Sequence, residues 1–326
     1  MTMQPADGTL GAGDAVGGAV AVVGSANLDV VVPVQRHPGL GETVIGGDHA
    51  QVPGGKGANQ AVAAARLGAA TRFVGRVGDD DPGRLLRSSL EADAVDVAGL
   101  GTDDQAPSGI ALIVVAPDGE NTIVVSPGAN ARLEPTHVDR AGALVSEAAA
   151  VLVQLEVPIP TVEAAVEAAT GIVVCNPAPA ATLPLAVLRR VDVLVPNRSE
   201  LAVLAGAETE PRSLEEVVAL ARQLEGPRAV VVTLGSDGAL VLDGADVVEV
   251  PPVTVDAIDA TAAGDAFCAA LTVRLVAGDA LADAARYANA AAGLATTRPG
   301  AQPSLPSAVE VATVLGPAWE VDPNGP

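Results

Sequence analysis

The chain has little cysteine, few aromatic residues and a shortage of positive charge. Its two cysteines, Cys175 and Cys268, stand far apart in apolar surroundings with no C-x-x-C pair. That excludes a disulfide framework and fits two small buried hydrophobes in a reduced compartment. The three histidines, His37, His49 and His137, show no ligand spacing, which speaks against a structural zinc site. Lys and Arg number 18 against 40 Asp and Glu, a formal net charge of −22. A polyanion would have to approach an acidic surface without a basic footprint, so nucleic acid is not expected as a partner. No apolar run reaches the ~18 residues of a membrane span. Residues 1–19 carry neither a basic residue nor an apolar stretch and do not read as a signal peptide. The chain is therefore expected to be cytoplasmic, with no membrane partner.

Phe, Tyr and Trp number only 2, 1 and 1, while 49% of the chain is hydrophobic. A large core can form, but from Ala, Val, Leu and Ile. The 326 residues allow one large α/β domain with an insertion, or two of about 150 residues each. Short apolar runs such as Ala19–Val23, Val151–Leu155, Ile172–Cys175 and Ala229–Thr233 alternate with helical patterns at Pro82–Ala92, Thr161–Ala169 and Ser213–Leu224. This rhythm predicts an α/β fold: a doubly wound, mainly parallel sheet flanked by helices. Residues 1–18 are expected to be a disordered tail, 19–315 the folded domain and 316–326 a second tail. One segment breaks the rhythm. Ile110–Val115 and Asn121–Val125 flank Pro117-Asp118-Gly119-Glu120, a hairpin signal. With Val30–Val34 and Thr43–Val52 it predicts a small inserted β-sheet, a lid drawn from about 30–52 and 108–126. An ordinary edge hairpin of the main sheet is the alternative.

Several polar segments stand at the ends of apolar runs. Asp259 and Thr261-Ala262-Ala263-Gly264-Asp265 describe a loop feeding a helix, where converging N–H groups can hold phosphoryl oxygens. Asp265 is placed either to take a proton from an attacking hydroxyl or merely to complement the helix dipole. Asn197 and Glu200 follow Pro196 as a near capping box, or else organise Mg²⁺ and its waters. Gly54-Gly55-Lys56-Gly57-Ala58-Asn59 is neither a Walker A loop, since Lys56 precedes Gly57, nor the dinucleotide G-x-G-x-x-G. It leaves a glycine loop that lets a small polar ligand approach backbone, with Lys56 and Asn59 as hydrogen-bonding groups. Asn27 and Asp29 can hold vicinal hydroxyls or form a turn. Glu156 is a solvated acid or a sugar ligand. Thr233-Leu234-Gly235-Ser236-Asp237-Gly238 is a hairpin turn or a phosphate-facing loop.

Taken together these segments resemble the ribokinase-like (PfkB-type) carbohydrate kinase family. The matching runs include Gly24–Asp29, Gly54–Ala64, Gln154-Leu155-Glu156, Asn176–Ala180, Pro196–Glu200, Thr233–Gly238, Ala262–Phe267 and Gly300–Ser304, in order over about residues 19–306. The resemblance implies ATP-dependent phosphorylation of D-ribose at its 5-hydroxyl. It makes Asp265 the general base and Ala262, Ala263 and Gly264 the anion hole. It makes Asn27, Asp29, Gly55, Lys56, Gly57, Asn59 and Glu156, with Asp265, the sugar-binding groups. ATP would be bound at Asn197, Thr233, Gly235, Ser236, Gly238, Gly264 and Asn289, with Glu200 acting on Mg²⁺ through water. A monovalent cation, K⁺, would sit among Asp259, Thr261, Ala295, Arg298, Gly300 and Ser304. The lid would also join two chains in a homodimer. Ala260 and Pro299 depart from the family pattern, which has Thr and often Lys at these places. Readings left open are a kinase for deoxyribose, a ketohexose or a nucleoside, and a non-catalytic sugar-binding regulator. The scarcity of aromatics predicts an adenine pocket lined by aliphatic side chains.

Overall fold

The computed structural model describes residues 18–316 and Trp319. The tails expected at 1–18 and 316–326 lie almost wholly outside those residues. No helix among the described residues is long and apolar enough to cross a membrane.

The main sheet is built from β1 (Val20–Val23), β4 (Thr71–Gly78), β5 (Asp96–Asp103), β8 (Ala150–Val153), β9 (Ile172–Cys175), β10 (Val193–Leu194), β11 (Ala229–Thr233), β12 (Ala239–Asp243) and β13 (Asp246–Val250). Its order is β13-β12-β11-β10-β9-β8-β1-β4-β5. Every neighbouring pair from β5 to β11 is parallel, whereas β12 and β13 run antiparallel at one edge. The central strands β1 (VAVV) and β8 (AVLV) are buried along their whole length, as parallel strands covered on both faces must be. The crossover helices are α1 (Lys56–Arg66), α2 (Asp81–Ala92), α3 (Pro135–Ala141), α4 (Ala143–Ser146), α5 (Ile159–Ala168), α6 (Leu185–Leu188), α7 (Arg198–Leu204), α8 (Leu214–Ala221), α9 (Ala263–Val276), α10 (Leu281–Ala295) and α11 (Ala308–Leu315).

One face of the sheet is covered by α1, α9 and α10, whose inward residues are mostly alanine. Small side chains bring helix axes close, and Phe73, Phe267 and Tyr287 are the aromatic rings buried in this core among the described residues. The opposite face is filled by Val, Leu and Ala from α3, α5 and α6. The aliphatic core expected from composition is what the two faces contain.

A separate sheet, ordered β3-β2-β6-β7, comprises β2 (Asn27–Pro33), β3 (Ala50–Gly54), β6 (Gly109–Val115) and β7 (Asn121–Ser126). It is a sheet of its own rather than an edge hairpin of the main one. The strand expected from Thr43 begins only at Ala50. Its partner β2 ends at Pro33, which has no N–H for the next rung, so residues 43–49 leave the ladder. On β7 every residue is exposed, including Ile123, Val124 and Val125.

The carboxyl ends of β1, β8, β9, β10 and β11 meet along one edge of the main sheet. Helix α1 is pressed against that edge. A Cβ on Gly57 would lie 2.6 Å from the Ser25 N and 2.7 Å from the Gly24 C, so only glycine allows this approach. Ala58 N donates to Ser25 O at 2.8 Å and fixes the same junction.

Candidate active site

A cavity of about 220 Å³ opens at this edge, and no aromatic residue lines it. Its walls include Lys56 at the start of α1, Asn176 after β9, Asn197 and Glu200 at the start of α7, and Thr233 at the end of β11. Ala262, Gly264, Asp265 and Cys268 from the start of α9 complete it.

The turn into α9 is set by Ala262, which holds φ 60, a left-handed conformation rare for a residue with a side chain. The Ala263 N–H is already used, donating to Ala260 O at 3.2 Å. The N–H groups of Gly264 and Asp265 have no partner among the described residues. Of the expected Ala262–Gly264 set, only the Ala263 N–H is thus engaged within the turn; those of Ala262 and Gly264, with Asp265 beside them, have no partner among the described residues. They are ready for an anion at the positive end of a 14-residue helix.

Asp265 is buried, and two amides from α1 hold its carboxylate. Asn59 Nδ2 donates to Oδ2 at 2.9 Å and Gln60 Nε2 donates to Oδ1 at 3.0 Å. Burial raises its pKa, opposed by the charge of Lys56 and by these two amides. Lys56 is the only lysine in the chain. Burial acts to lower its pKa, but Asp265, Glu156 and Glu200 outweigh this, and the ammonium is held charged. The expected alternative, an Asp265 that only complements the helix dipole, does not account for a carboxylate held by three groups of another helix.

Beyond Lys56 and Asp265 lie the groups expected to bind sugar. Glu156 Oε2 accepts from Ser25 Oγ at 2.6 Å and from the Lys56 N–H at 3.0 Å. Gly55, at φ 88, and Gly57 shape this loop. Asn27 and Asp29 are two residues apart on β2 and so project from one face of the small sheet. The Asp29 carboxylate accepts no hydrogen bond among the described residues, and burial, then the charges of Glu156 and Asp265, raise its pKa to about 7. Asn130, which the sequence reading passed over, is fully buried and donates from Nδ2 to Asn27 Oδ1 at 2.8 Å. Its Oδ1 accepts from Ala26 N at 3.0 Å. This leaves the Asn27 amino group without a side-chain partner among the described residues. Asn130 follows Pro127-Gly128-Ala129 as a lone polar residue among small ones, the one signal that would have marked it.

On the opposite side, Asn197 and Glu200 form the capping box: Asn197 Oδ1 accepts from Glu200 N, and Glu200 Oε2 accepts from Asn197 N, each at 2.8 Å. The structural reading of this pair is realised, yet both also line the cavity. Burial raises the Glu200 pKa against its bond from Asn197 N–H. Thr233 bridges Asn197 across adjacent strand ends. Gly235, Ser236 and Gly238 form the turn between β11 and β12, so that segment is a hairpin. Asn289 is not in the cavity; its Nδ2 donates to Val250 O and Pro251 O, both at 3.1 Å.

Of the residues expected to hold a monovalent cation, Asp259, Thr261 and Gly300 are joined directly, and Asp259 also reaches Thr296, next to Ala295. Asp259 Oδ1 accepts from Thr261 N and Oγ1, and Oδ2 accepts from Gly300 N at 2.8 Å. Burial works against ionisation of Asp259, but these bonds hold its pKa below the usual range. Asp259 N donates to Thr296 O beside Ala295. Ser304 Oγ donates to Ala301 O, and Arg298 is paired with Glu310. Carboxylate and carbonyl oxygens without soft donors are the chemistry that suits a hard cation.

A buried carboxylate beside free helix N-terminal N–H groups and one ammonium, at the strand ends of a doubly wound sheet, defines a phosphotransferase. The model of the pfkB family of carbohydrate kinases matches residues 18–308. The ribokinase of Haemophilus influenzae is 36% identical over 297 residues, covering 90% of this chain and 97% of its own. That of Bacillus subtilis is 37% identical over 299 residues, covering 91% and 99%. A structure of Arabidopsis thaliana ribokinase complexed with ribose and ATP superposes with a TM-score of 0.82 at 33% identity, covering 92% of this chain and 99% of that one. The chain belongs to the pfkB family of carbohydrate kinases.

The raised pKa of Asp29 carries a stability prediction. Between pH 3.8 and about 7 the folded chain binds a proton at Asp29 that the unfolded chain has released, so stability falls as pH rises through this window. Asp29→Asn is expected to gain about 1–4 kcal/mol of unfolding stability at pH 8, the gain shrinking towards pH 4. Denaturant unfolding at several pH values reads this; a gain independent of pH would contradict it.

Proposed function

We propose that this chain transfers the γ-phosphoryl group of ATP to the 5-hydroxyl of D-ribose. The observation that carries the reading is the Asp265 carboxylate at the start of α9, held by Asn59, Gln60 and Lys56 next to the free N–H groups of Gly264 and Asp265. Asn27, Asp29, Asn59 and Glu156 orient the sugar through its hydroxyls, placing the 5-hydroxyl at Asp265. Asp265 takes the hydroxyl proton as the oxygen attacks phosphorus in line. The N–H groups at the α9 start and the Lys56 ammonium stabilise charge on the transferring group. Asn197, Thr233 and the Gly235–Gly238 turn flank the nucleotide, and Asn289 fixes the 250–251 segment beside it.

Mg²⁺ would be held near Glu200 through water, where it would neutralise phosphate charge. Glu200 fits that role because its Oε1 has no protein partner among the described residues. K⁺ would be held by the oxygens around Asp259, Thr261, Ala295, Arg298, Gly300 and Ser304, and would steady the loop that carries the α9 N-terminus. The lid sheet, through Asn27 and Asp29, closes over the sugar and excludes water. The exposed strand β7, with Ile123 and Val125 on one side and Val124 on the other, is the contact for a second copy in a homodimer. A monomer by light scattering at micromolar concentration would contradict the dimer.

The function is tested by coupled ADP release with ribose, deoxyribose, fructose and adenosine, in sodium and then potassium. Ribose is expected to give the highest kcat/KM, and strong turnover confined to adenosine would overturn the assignment. Asp265→Asn is expected to lower kcat by at least ~10²-fold with ribose binding largely retained. Near-normal turnover in that variant would remove Asp265 as the base.

A further inference from the structure

Polar groups that the transfer itself does not use converge on one residue behind the site. Gln60 lies on α1 and is fully buried, so it cannot touch a substrate. Its Nε2 donates both to Asp265 Oδ1, at 3.0 Å, and to Asn176 Oδ1, at 3.2 Å. Its Oε1 accepts from Gln154 Nε2 at 2.5 Å. Both amide protons and the carbonyl are thus committed. Asn176 is fixed in turn, donating from Nδ2 to Val195 O at 3.1 Å.

A primary amide buried in an alanine-rich helix is costly unless every polar atom is bonded. Here the bonds do more than satisfy Gln60. Gln154 is fully buried at the end of β8, and its Oε1 has no partner. A Cβ on Gly24 would fall 2.0 Å from that Oε1, so the end of β1 is kept bare to admit it. Gln154 leaves its own carbonyl unpaired while its N–H₂ meets the Gln60 carbonyl. The orientation is set by the two acceptors that Gln60 faces, the Asp265 carboxylate and the Asn176 Oδ1 turned towards it by the bond from Asn176 Nδ2 to Val195 O, so the Gln60 carbonyl is left to Gln154. The order of donors therefore runs in one direction, from Gln154 to Gln60 to Asp265.

We propose that Gln60 is the positioning residue for Asp265: it fixes the carboxylate's orientation at the α9 N-terminus, with Gln154 and Asn176 locking its amide. The inference rests on Asp265 being the base. The N–H donated by Gln60 also favours the ionised carboxylate, as does that of Asn59. Other charges facing Asp265 are Lys56 on α1, Glu156 after β8, Asp29 on β2 and Glu200 on α7, with the Cys268 thiol on α9 itself. None of these is altered by changing Gln60.

The test uses Gln60→Met, which keeps length and removes all three bonds, and Gln60→Glu, which keeps an acceptor for Gln154. The kcat, the KM for ribose and the pH profile of kcat are measured on the full chain. With Gln60→Met, kcat is expected to fall about 10–100-fold while KM stays within about threefold, and the acid limb of the kcat profile to move up by about one pH unit. With Gln60→Glu the limb is expected to move further, because two neighbouring carboxyls cannot both ionise easily. If Gln60→Met does not fold, as judged by circular dichroism, Gln60→Glu decides alone. A folded variant whose acid limb does not move, or whose kcat stays within about twofold, overturns the proposal. Asp265→Asn is run in parallel. If that variant keeps its turnover, the base assignment fails and this inference with it. If it loses turnover while the Gln60 variants keep the parent profile, only the role of Gln60 fails.

Discussion

The structure depends on keeping a carboxylate charged where water is scarce. Asp265 is buried with Glu156 near enough to oppose its ionisation, it in turn acts on Asp29 and Glu200, and Lys56 is the single ammonium among them. Burying a charge is costly unless it is paired and hydrogen-bonded. Two elements meet that requirement. The start of α9 supplies free N–H groups, and α1 supplies Lys56, Asn59 and Gln60 from positions that share one helix face. This fixes where α1 must lie, and the bare backbone at Gly57 and Gly24 lets it lie there. The alanine faces of α1, α9 and α10 follow from the same need for close approach.

The proposed sugar site spans both sheets. Asn27 and Asp29 belong to β2, whereas Asp265, Lys56 and Glu156 belong to the main body, so on that proposal the site is complete only when the two sheets face each other. Asn130 joins them at the crossing point by holding both Ala26 and Asn27. The net charge of −22 does not oppose an anionic co-substrate at the proposed site, where backbone N–H groups that formal charge does not count stand beside the Lys56 ammonium.

Much of the architecture was legible in the sequence. β1, β8, β9 and β11 are short apolar runs, and burial on both faces is what such runs require. β5 was not legible, since Asp96–Asp103 mixes Gly, Asp and Thr at a sheet edge where one side stays wet. Of the antiparallel edge, the β11–β12 hairpin was legible in the Thr233–Gly238 turn, whereas β13, Asp246–Val250, carries a weaker apolar pattern at the sheet edge. At the site, motif residues were legible because backbone chemistry ties them to their neighbours. The Asn197–Glu200 pair and the Asp259–Thr261 loop are local. Gln60, Asn130 and Gln154 were not legible, because their partners lie about a hundred or more residues away and only the fold joins them. The use of Ala263 N–H by Ala260 O likewise depends on the φ of Ala262, which an alanine does not announce. The sole lysine of the chain stands in the glycine loop, a signal that marks the one ammonium available to the buried carboxylates.

If Lys56 balances the buried carboxylates, removing its charge must make Asp265 harder to ionise. The most direct measurement is the pH profile of kcat for Lys56→Met beside the parent and Lys56→Arg. An acid limb moved to higher pH in Lys56→Met, and largely restored in Lys56→Arg, is the predicted result. A limb that stays at the parent position in Lys56→Met would contradict the account.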